Sequence, residues 1–112
     1  MRTEGSGRLL RIFVDEGDRW HGQPLHTAIV EMLRKHGVSG ATVFRGVEGF
    51  GAHGELHVSS VFALMPNLPI LIEVVDSDER IESVLPHVEE MVTEGLVTLE
   101  RVDFRHYSRA RN

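Results

Sequence analysis

No cysteine occurs in the 112 residues. Disulfides, thiol catalysis and cysteine-ligated zinc are therefore excluded, and a reducing compartment is compatible with the chain. Basic charge is also short: twelve Lys+Arg stand against seventeen Asp+Glu, a net charge of -5. That balance argues against binding a nucleic acid polymer, which needs a basic surplus. Long apolar runs are missing too. Stretches such as Leu68 to Ile72 are far too short to span a bilayer. The amino terminus, MRTEGSGRLL, is polar and is expected to lead into a strand, with no secretory signal. No repeat or low-complexity segment interrupts the chain. These features are expected of a cytoplasmic protein that is not itself membrane-spanning.

What is present fits one globular unit. Hydrophobic residues make up 41% and charged residues 26%, close to the globular average. A single domain over 1–112 is expected, with a core from about 8 to 107 and flexible ends at 1–7 and 108–112. Arg8 to Asp15 alternates as a strand, with Leu10, Ile12 and Val14 on one face and Leu9, Arg11 and Phe13 on the other. A polar loop, Glu16 to Gln23, precedes Pro24 at the first turn of a helix. Leu25, Ala28, Ile29, Met32 and Leu33 then follow helical spacing, and Gly37 reads as its C-terminal cap.

Ala41 to Val47 reads as a second strand, and Ile70 to Val75 as a third. Between them Glu48 to His57 is glycine-rich and reads as a flexible loop, with Val58 to Leu64 continuing the excursion. Asp76 and Glu79 suggest a capping box. Ile81, Val84, Leu85, Val88, Met91 and Val92 form a second amphipathic face, with a kink or restart expected at Pro86 and an end at Gly95. Leu96 to Tyr107 contains the last strand.

The order is βαββαβ. It predicts an α+β, ferredoxin-like sandwich: a four-stranded antiparallel sheet with both helices on one face. The other face has nothing in this chain to cover it. Leu9, Arg11, Phe13, Val43, Arg45, Leu71 and Glu73 are expected there, and an exposed apolar face predicts a homo-oligomer.

Topology should gather Asp18 to Gly22, Glu48 to His57 and the turn at Gly95 at one end. That collects Arg19, Trp20, His21, Glu48, Gly49, Gly51, His53 and His57, a set suited to a small ligand. Gly46 to Gly51 spells G-x-x-G-x-G. No helix opens after it, so dinucleotide-type phosphate binding fails. Its amides either form an anion nest or only permit a mobile hairpin. Trp20 either stacks on a ligand or pins its loop. Arg45 either holds a phosphate or carboxylate, or makes an intersubunit ion pair with Glu73 or a neighbour. His53 and His57, with His21, form an alternative divalent-metal reading, although no closed ligand set is evident. His26, His36 and His87 read as surface residues of helices. Ser59 and Ser60 lack an identifiable base, so an enzyme reading has no named nucleophile.

Leu9-Leu10-Arg11-Ile12-Phe13, Asp18-Arg19-Trp20-His21-Gly22-Gln23-Pro24-Leu25, Gly40-Ala41-Thr42-Val43-Phe44-Arg45-Gly46 and Glu48-Gly49-Phe50-Gly51 carry a resemblance, joined by Leu68-Pro69-Ile70, Glu73-Val74-Val75-Asp76 and Gly95-Leu96-Val97-Thr98. Together they resemble the uncharacterised family called domain of unknown function one-ninety, over Arg8 to Tyr107. The resemblance implies a PII-like fold and a homotrimer. It also implies a small effector, often an adenine nucleotide, in clefts between subunits. The loop from Glu48 to about Leu64 would engage a partner, commonly a membrane transporter. The chain departs from the nitrogen-regulatory PII proteins in lacking their basic nucleotide signatures, and Asp76 to Glu79 is acidic at the entry to the second helix. The reading is thus a non-enzymatic signalling module. Its site residues would be Arg45, Gly49, Gly51, His53 and His57, with Arg19, Trp20 and His21 beside them. The alternatives are a histidine-based metal-binding trimer and a small enzyme.

Overall fold

In a computed structural model, residues 1–51, 57–58 and 67–109 are described. The elements are β1 (Arg2–Asp15), β2 (Arg19–Trp20), β3 (Gln23–Pro24), α1 (Leu25–Lys35), β4 (Thr42–Arg45), β5 (Glu48–Gly49), β6 (His57–Val58), β7 (Pro69–Ser77), α2 (Asp78–Met91) and β8 (Leu96–Tyr107). The main sheet has four antiparallel strands in the order β4-β7-β1-β8. Two further antiparallel pairs, β2-β3 and β5-β6, lie outside it. The βαββαβ sandwich expected from the sequence is the fold observed, and its extra hairpins fall inside segments that read as loops.

Alternation fixes which side of the sheet the helices cover. Leu10, Ile12 and Val14 of β1 and Ile70, Ile72 and Val74 of β7 are buried against Leu25, Ala28, Ile29 and Leu33 of α1 and Ile81, Val84, Val88 and Met91 of α2. Burying a side chain of this size contributes about 1.5–3 kcal/mol, so this layer supplies the main driving force for folding.

Local chemistry sets the helix ends. At the end of α1, Val38 N–H donates to Leu33 O at 3.1 Å and Gly37 N–H to Arg34 O at 3.1 Å. Gly37 takes φ 83°, completing a Schellman cap that only glycine adopts without strain. The cap of α2 is Ser77, whose hydroxyl accepts from Arg80 N–H at 3.2 Å. The expected Asp76 cap is thus displaced by one residue, because the Asp76 carboxylate is engaged elsewhere. It accepts from Ser39 N–H at 2.9 Å, Ser39 Oγ at 2.8 Å and Ser77 N–H at 2.8 Å, tying the α1–β4 connection to the start of α2. Burial opposes its charge, but the Ser39 and Ser77 bonds and the nearby Arg80 charge hold its pKa below the ordinary value. α2 runs on through Pro86 as one helix and ends at Met91, before Gly95. Pro86 is exposed and, having no N–H, removes one donor from the helix ladder.

Two expectations change. Residues 1–7, read as a loose end, are largely strand. Arg2 to Ser6 pair with Tyr107 to Asp103, and Met1 and Ser108 close the ladder through two backbone bonds. The polar run has no apolar alternation to announce a strand; its partner strand supplies the order. Gly5 lies under Phe104, where a Cβ would meet the ring at 2.7 Å, an arrangement in which an aromatic shields a strand glycine.

The second change is the parity of β4. Phe44 pairs with Leu71 and Thr42 with Glu73, so these face the uncovered side. Val43 pairs with Ile72 and Arg45 with Ile70, which places both on the helix side of the sheet. Val43 is still 40% exposed because β4 is an edge strand. On the uncovered side one cross-strand row runs Phe44, Leu71, Phe13, Leu96, apolar on all four strands. The next row holds Thr42, Glu73, Arg11 and Thr98, with Arg11 Nε donating to Glu73 Oε2 at 2.9 Å.

Candidate functional site

Three chain segments meet where β1, β4 and β7 have their ends. Glu16 N–H donates to Leu68 O at 2.9 Å, and Gly46 N–H donates to Pro69 O at 2.7 Å. A Cβ at Gly49 would lie 2.7 Å from Pro69 Cγ, so glycine allows the segment to lie against the proline ring. Pro69 is thus the anvil on which the glycine-rich segment turns. Beyond it, Glu48 and Gly49 pair with Val58 and His57, folding the excursion back as a short hairpin.

Arg45 stands at the root of this segment. Its Nε donates to Glu16 Oε2 at 2.5 Å and its Nη2 to Glu16 Oε1 at 2.9 Å. The two parallel bonds make a planar fork that matches a carboxylate. Hydrogen bonding to Arg45, against a smaller opposing effect of burial, holds the Glu16 pKa below its ordinary value. The same bond raises that of Arg45. Arg45 does not pair with Glu73 within the chain: the register places the two on opposite faces of the sheet, and Glu73 is engaged by Arg11. The Arg45 side chain is 53% exposed, so an anion arriving from solvent can reach it.

Arg19, Trp20 and His21 belong to a separate small hairpin. Its turn residues His21 and Gly22 take φ 47° and 84°, the left-handed pair of a two-residue hairpin turn. Asp18 anchors its base: its carboxylate accepts from Asp15 N–H at 3.0 Å, and its carbonyl accepts from Leu25 N–H at 2.8 Å. The rings of Trp20 and His21 stack at 4.4 Å between centroids. Trp20 packs against the core and lines a cleft of about 300 Å³ between α1 and α2. The hairpin therefore turns its indole to the helix layer, while Arg45 is held by Glu16.

The turn at Gly95 lies where expected, at the end of β1: a Cβ there would approach Phe13 O at 2.5 Å. Gly51 is exposed, and among the described residues nothing lies within 4 Å of where its Cβ would be. His57 has its backbone in β6. His53, Ser59 and Ser60 lie outside the described residues. Sequence reasoning missed Glu16 and Pro69. Glu16 directly follows the first strand and carries the charge Arg45 needs, but only the sheet register brings the two together. It also left His36 and His87 as separate surface residues, whereas their rings meet at 4.2 Å.

Known proteins resemble this chain at two levels. The family model DUF190, described as "Uncharacterized ACR, COG1993", matches residues 7–104. A UPF0166 protein of Methanocaldococcus jannaschii is 38% identical over 93 residues, covering 82% of this chain and 85% of that protein. A UPF0166 protein of Aquifex aeolicus is 35% identical over 96 residues, covering 86% and 90%. Among solved structures, CPII of Thiomonas intermedia K12 aligns with a TM-score of 0.69 at 16% identity, over 91% of each chain. CPII is described as a nitrogen regulatory PII-like protein bound to ADP, AMP and bicarbonate. At that identity the likeness is one of fold: a PII-like fold. Among the described residues no helix is long and apolar enough to cross a membrane.

Proposed function

The chain belongs to the DUF190 family, and on that basis we propose that it is a PII-like regulatory protein, a homotrimer that binds a small anionic effector between subunits. The observation that carries this reading is the Arg45 fork at the root of the glycine-rich segment. A guanidinium that already holds a two-oxygen anion in plane is complementary to bicarbonate, a carboxylate or one edge of a phosphate. The anion it holds belongs to its own chain, so an effector would compete with Glu16 for Arg45. Exchange would free the Glu16 side and re-aim Gly46 to Gly51.

Segment 48–64 would then change its affinity for a partner protein, in our reading a membrane transporter. Such a switch is limited by the effector's differential affinity for the two loop arrangements. The binding surface centres on Arg45, Gly49 and Gly51 and extends to His53 and His57. In this reading the exposed Arg19 and His21 of the β2–β3 hairpin also contribute to it. The uncovered row of Phe44, Leu71, Phe13 and Leu96 supports assembly, because an apolar band crossing a whole sheet favours burial. The activity is binding without turnover, in a cytoplasmic setting.

Thermal shift with AMP, ADP, ATP and bicarbonate, alone and combined, tests the effector. An effector at 100 times its dissociation constant adds about 2.7 kcal/mol, a clear shift. The shift should vanish in Arg45→Ala. A shift that persists unchanged in Arg45→Ala removes this site from the reading, and silence across the panel removes the anion class.

A further inference from the structure

We propose that His36 and His87 form an open binding site for a divalent transition metal, copper(II) foremost, in the cleft between α1 and α2. The two imidazoles come from different helices, and their ring centroids stand 4.2 Å apart with planes tilted by 39°. Two imidazoles bound cis to one ion, with metal–nitrogen bonds of about 2.0–2.1 Å, place their ring centres roughly 4.5 Å apart. The observed centroid spacing is close to that value.

The tautomer of His36 points the same way. Its Nδ1 lies 2.8 Å from Met32 O. A carbonyl only accepts, so Nδ1 carries the proton and neutral His36 keeps its lone pair on Nε2. A ring N–H bound to a backbone carbonyl is the usual way a metal-ligating histidine is oriented. His36 is held there by the Schellman cap, where Gly37 closes the helix at φ 83°. The ligand is thus set by the same turn that ends α1.

The cleft has the chemistry of a borderline-soft site. Met32 and Glu90 line it beside both histidines, and Glu90 lies one turn beyond His87 on α2. Lys35 also lines it and opposes a cation. Among the described residues no three His, Cys, Asp or Glu side chains already stand as a ligand set. The site is therefore not a closed structural one. Two nitrogens bind the ion and water completes its sphere, which implies exchangeable binding. For such a nitrogen site the order of affinities places copper(II) above nickel(II) and zinc. Neither Arg45 nor Glu16 lines this cleft, so the proposal does not rest on the effector reading.

Trp20 is the only tryptophan and lines the same cleft, so it reports occupancy directly. The experiment is a copper(II) chloride titration, followed by Trp20 fluorescence and calorimetry, on the full chain carrying His53→Ala and His57→Ala. That background removes the loop histidines as ligands. Saturable quenching is expected at one ion per chain. His36→Ala and His87→Ala, each confirmed as folded by circular dichroism, should each weaken it by about tenfold or more. His36→Gln should not restore it. Absence of saturable quenching overturns the proposal. So does quenching of unchanged affinity when both His36 and His87 are replaced.

Discussion

The two faces of the one sheet carry similar side chains and opposite fates. On the helix side, Ile12 and Ile72 are neighbours and neither is exposed at all. One residue along, Phe13 and Leu71 are also neighbours, yet Phe13 is 37% exposed, and Phe44 and Leu96 at the ends of that row are 47% and 57% exposed. Apolar content therefore does not by itself mark a core. What distinguishes the faces is cover, and this chain has two helices to cover one side. The same contrast holds for polar groups. Asp76 continues the Ile70, Ile72, Val74 column on the covered side and is satisfied by three bonds. Arg11 and Glu73 interrupt the apolar surface of the uncovered side and satisfy one another.

The largest effect should follow a cut into the covered face. Ile72→Ala removes a fully buried side chain between both helices and should cost about 2–5 kcal/mol, read as a lower urea midpoint with unchanged slope. The equivalent cut on the other side, Leu71→Ala, should cost far less in the isolated subunit. Equal losses for the two variants would break the contrast between the faces.

Assembly is the next way to sharpen it. Phe13→Glu puts a charge into the centre of the uncovered row. In a homotrimer that charge would be desolvated, so the variant should sediment as a monomer while its circular dichroism stays native. A variant that still sediments with the parent means that this face is not the interface.

Asp76 comes next in magnitude. Asp76→Asn keeps the shape but loses the anion on which three donors converge, and should cost about 2–3 kcal/mol at pH 7. The pH dependence has a definite sign. The folded pKa lies below the ordinary 3.8, so the unfolded chain binds the proton more readily. The contribution is whole above pH 3.8 and fades as pH falls through the lower folded value. Urea midpoints at pH 7 and pH 3 should show the gap between parent and Asp76→Asn narrowing in acid. A gap that widens would mean the carboxylate is not favoured by folding.

Most of the covered face could be read from sequence alone. Helical spacing identified the buried residues of α1 and α2, alternation identified those of β1, and a continuous apolar run marked β7 as a central strand. The parity of β4 was misread because Val43 and Phe44 are both apolar on a short edge strand, where neither is fully buried. The extension of β1 through residues 2–7 was missed because its order comes from pairing with β8, not from hydrophobic pattern. The candidate site was legible as a composition, glycines and a guanidinium after a strand. Its geometry was not, because Glu16 reaches Arg45 only through the sheet register. His36 and His87 meet for a similar reason: helix packing, not spacing in either helix, brings them into contact.

The smallest effect expected belongs to the Arg45–Glu16 fork, and it bears on function more than on stability. The pair is exposed, and exposed ion pairs add little to folding. Glu16→Gln should therefore leave the urea midpoint almost unchanged. It removes the internal competitor for Arg45, however, so an oxyanion effector should bind tighter by about two- to fivefold, the range that an exposed pair can supply. Arg45→Ala should move affinity the other way. The opposite signs are the informative part, since a purely structural pair would lose binding in both variants. Direct titration of the two variants with the effector found by thermal shift decides it: weakening in Glu16→Gln would make Glu16 a support for the site, and tightening would make it the gate.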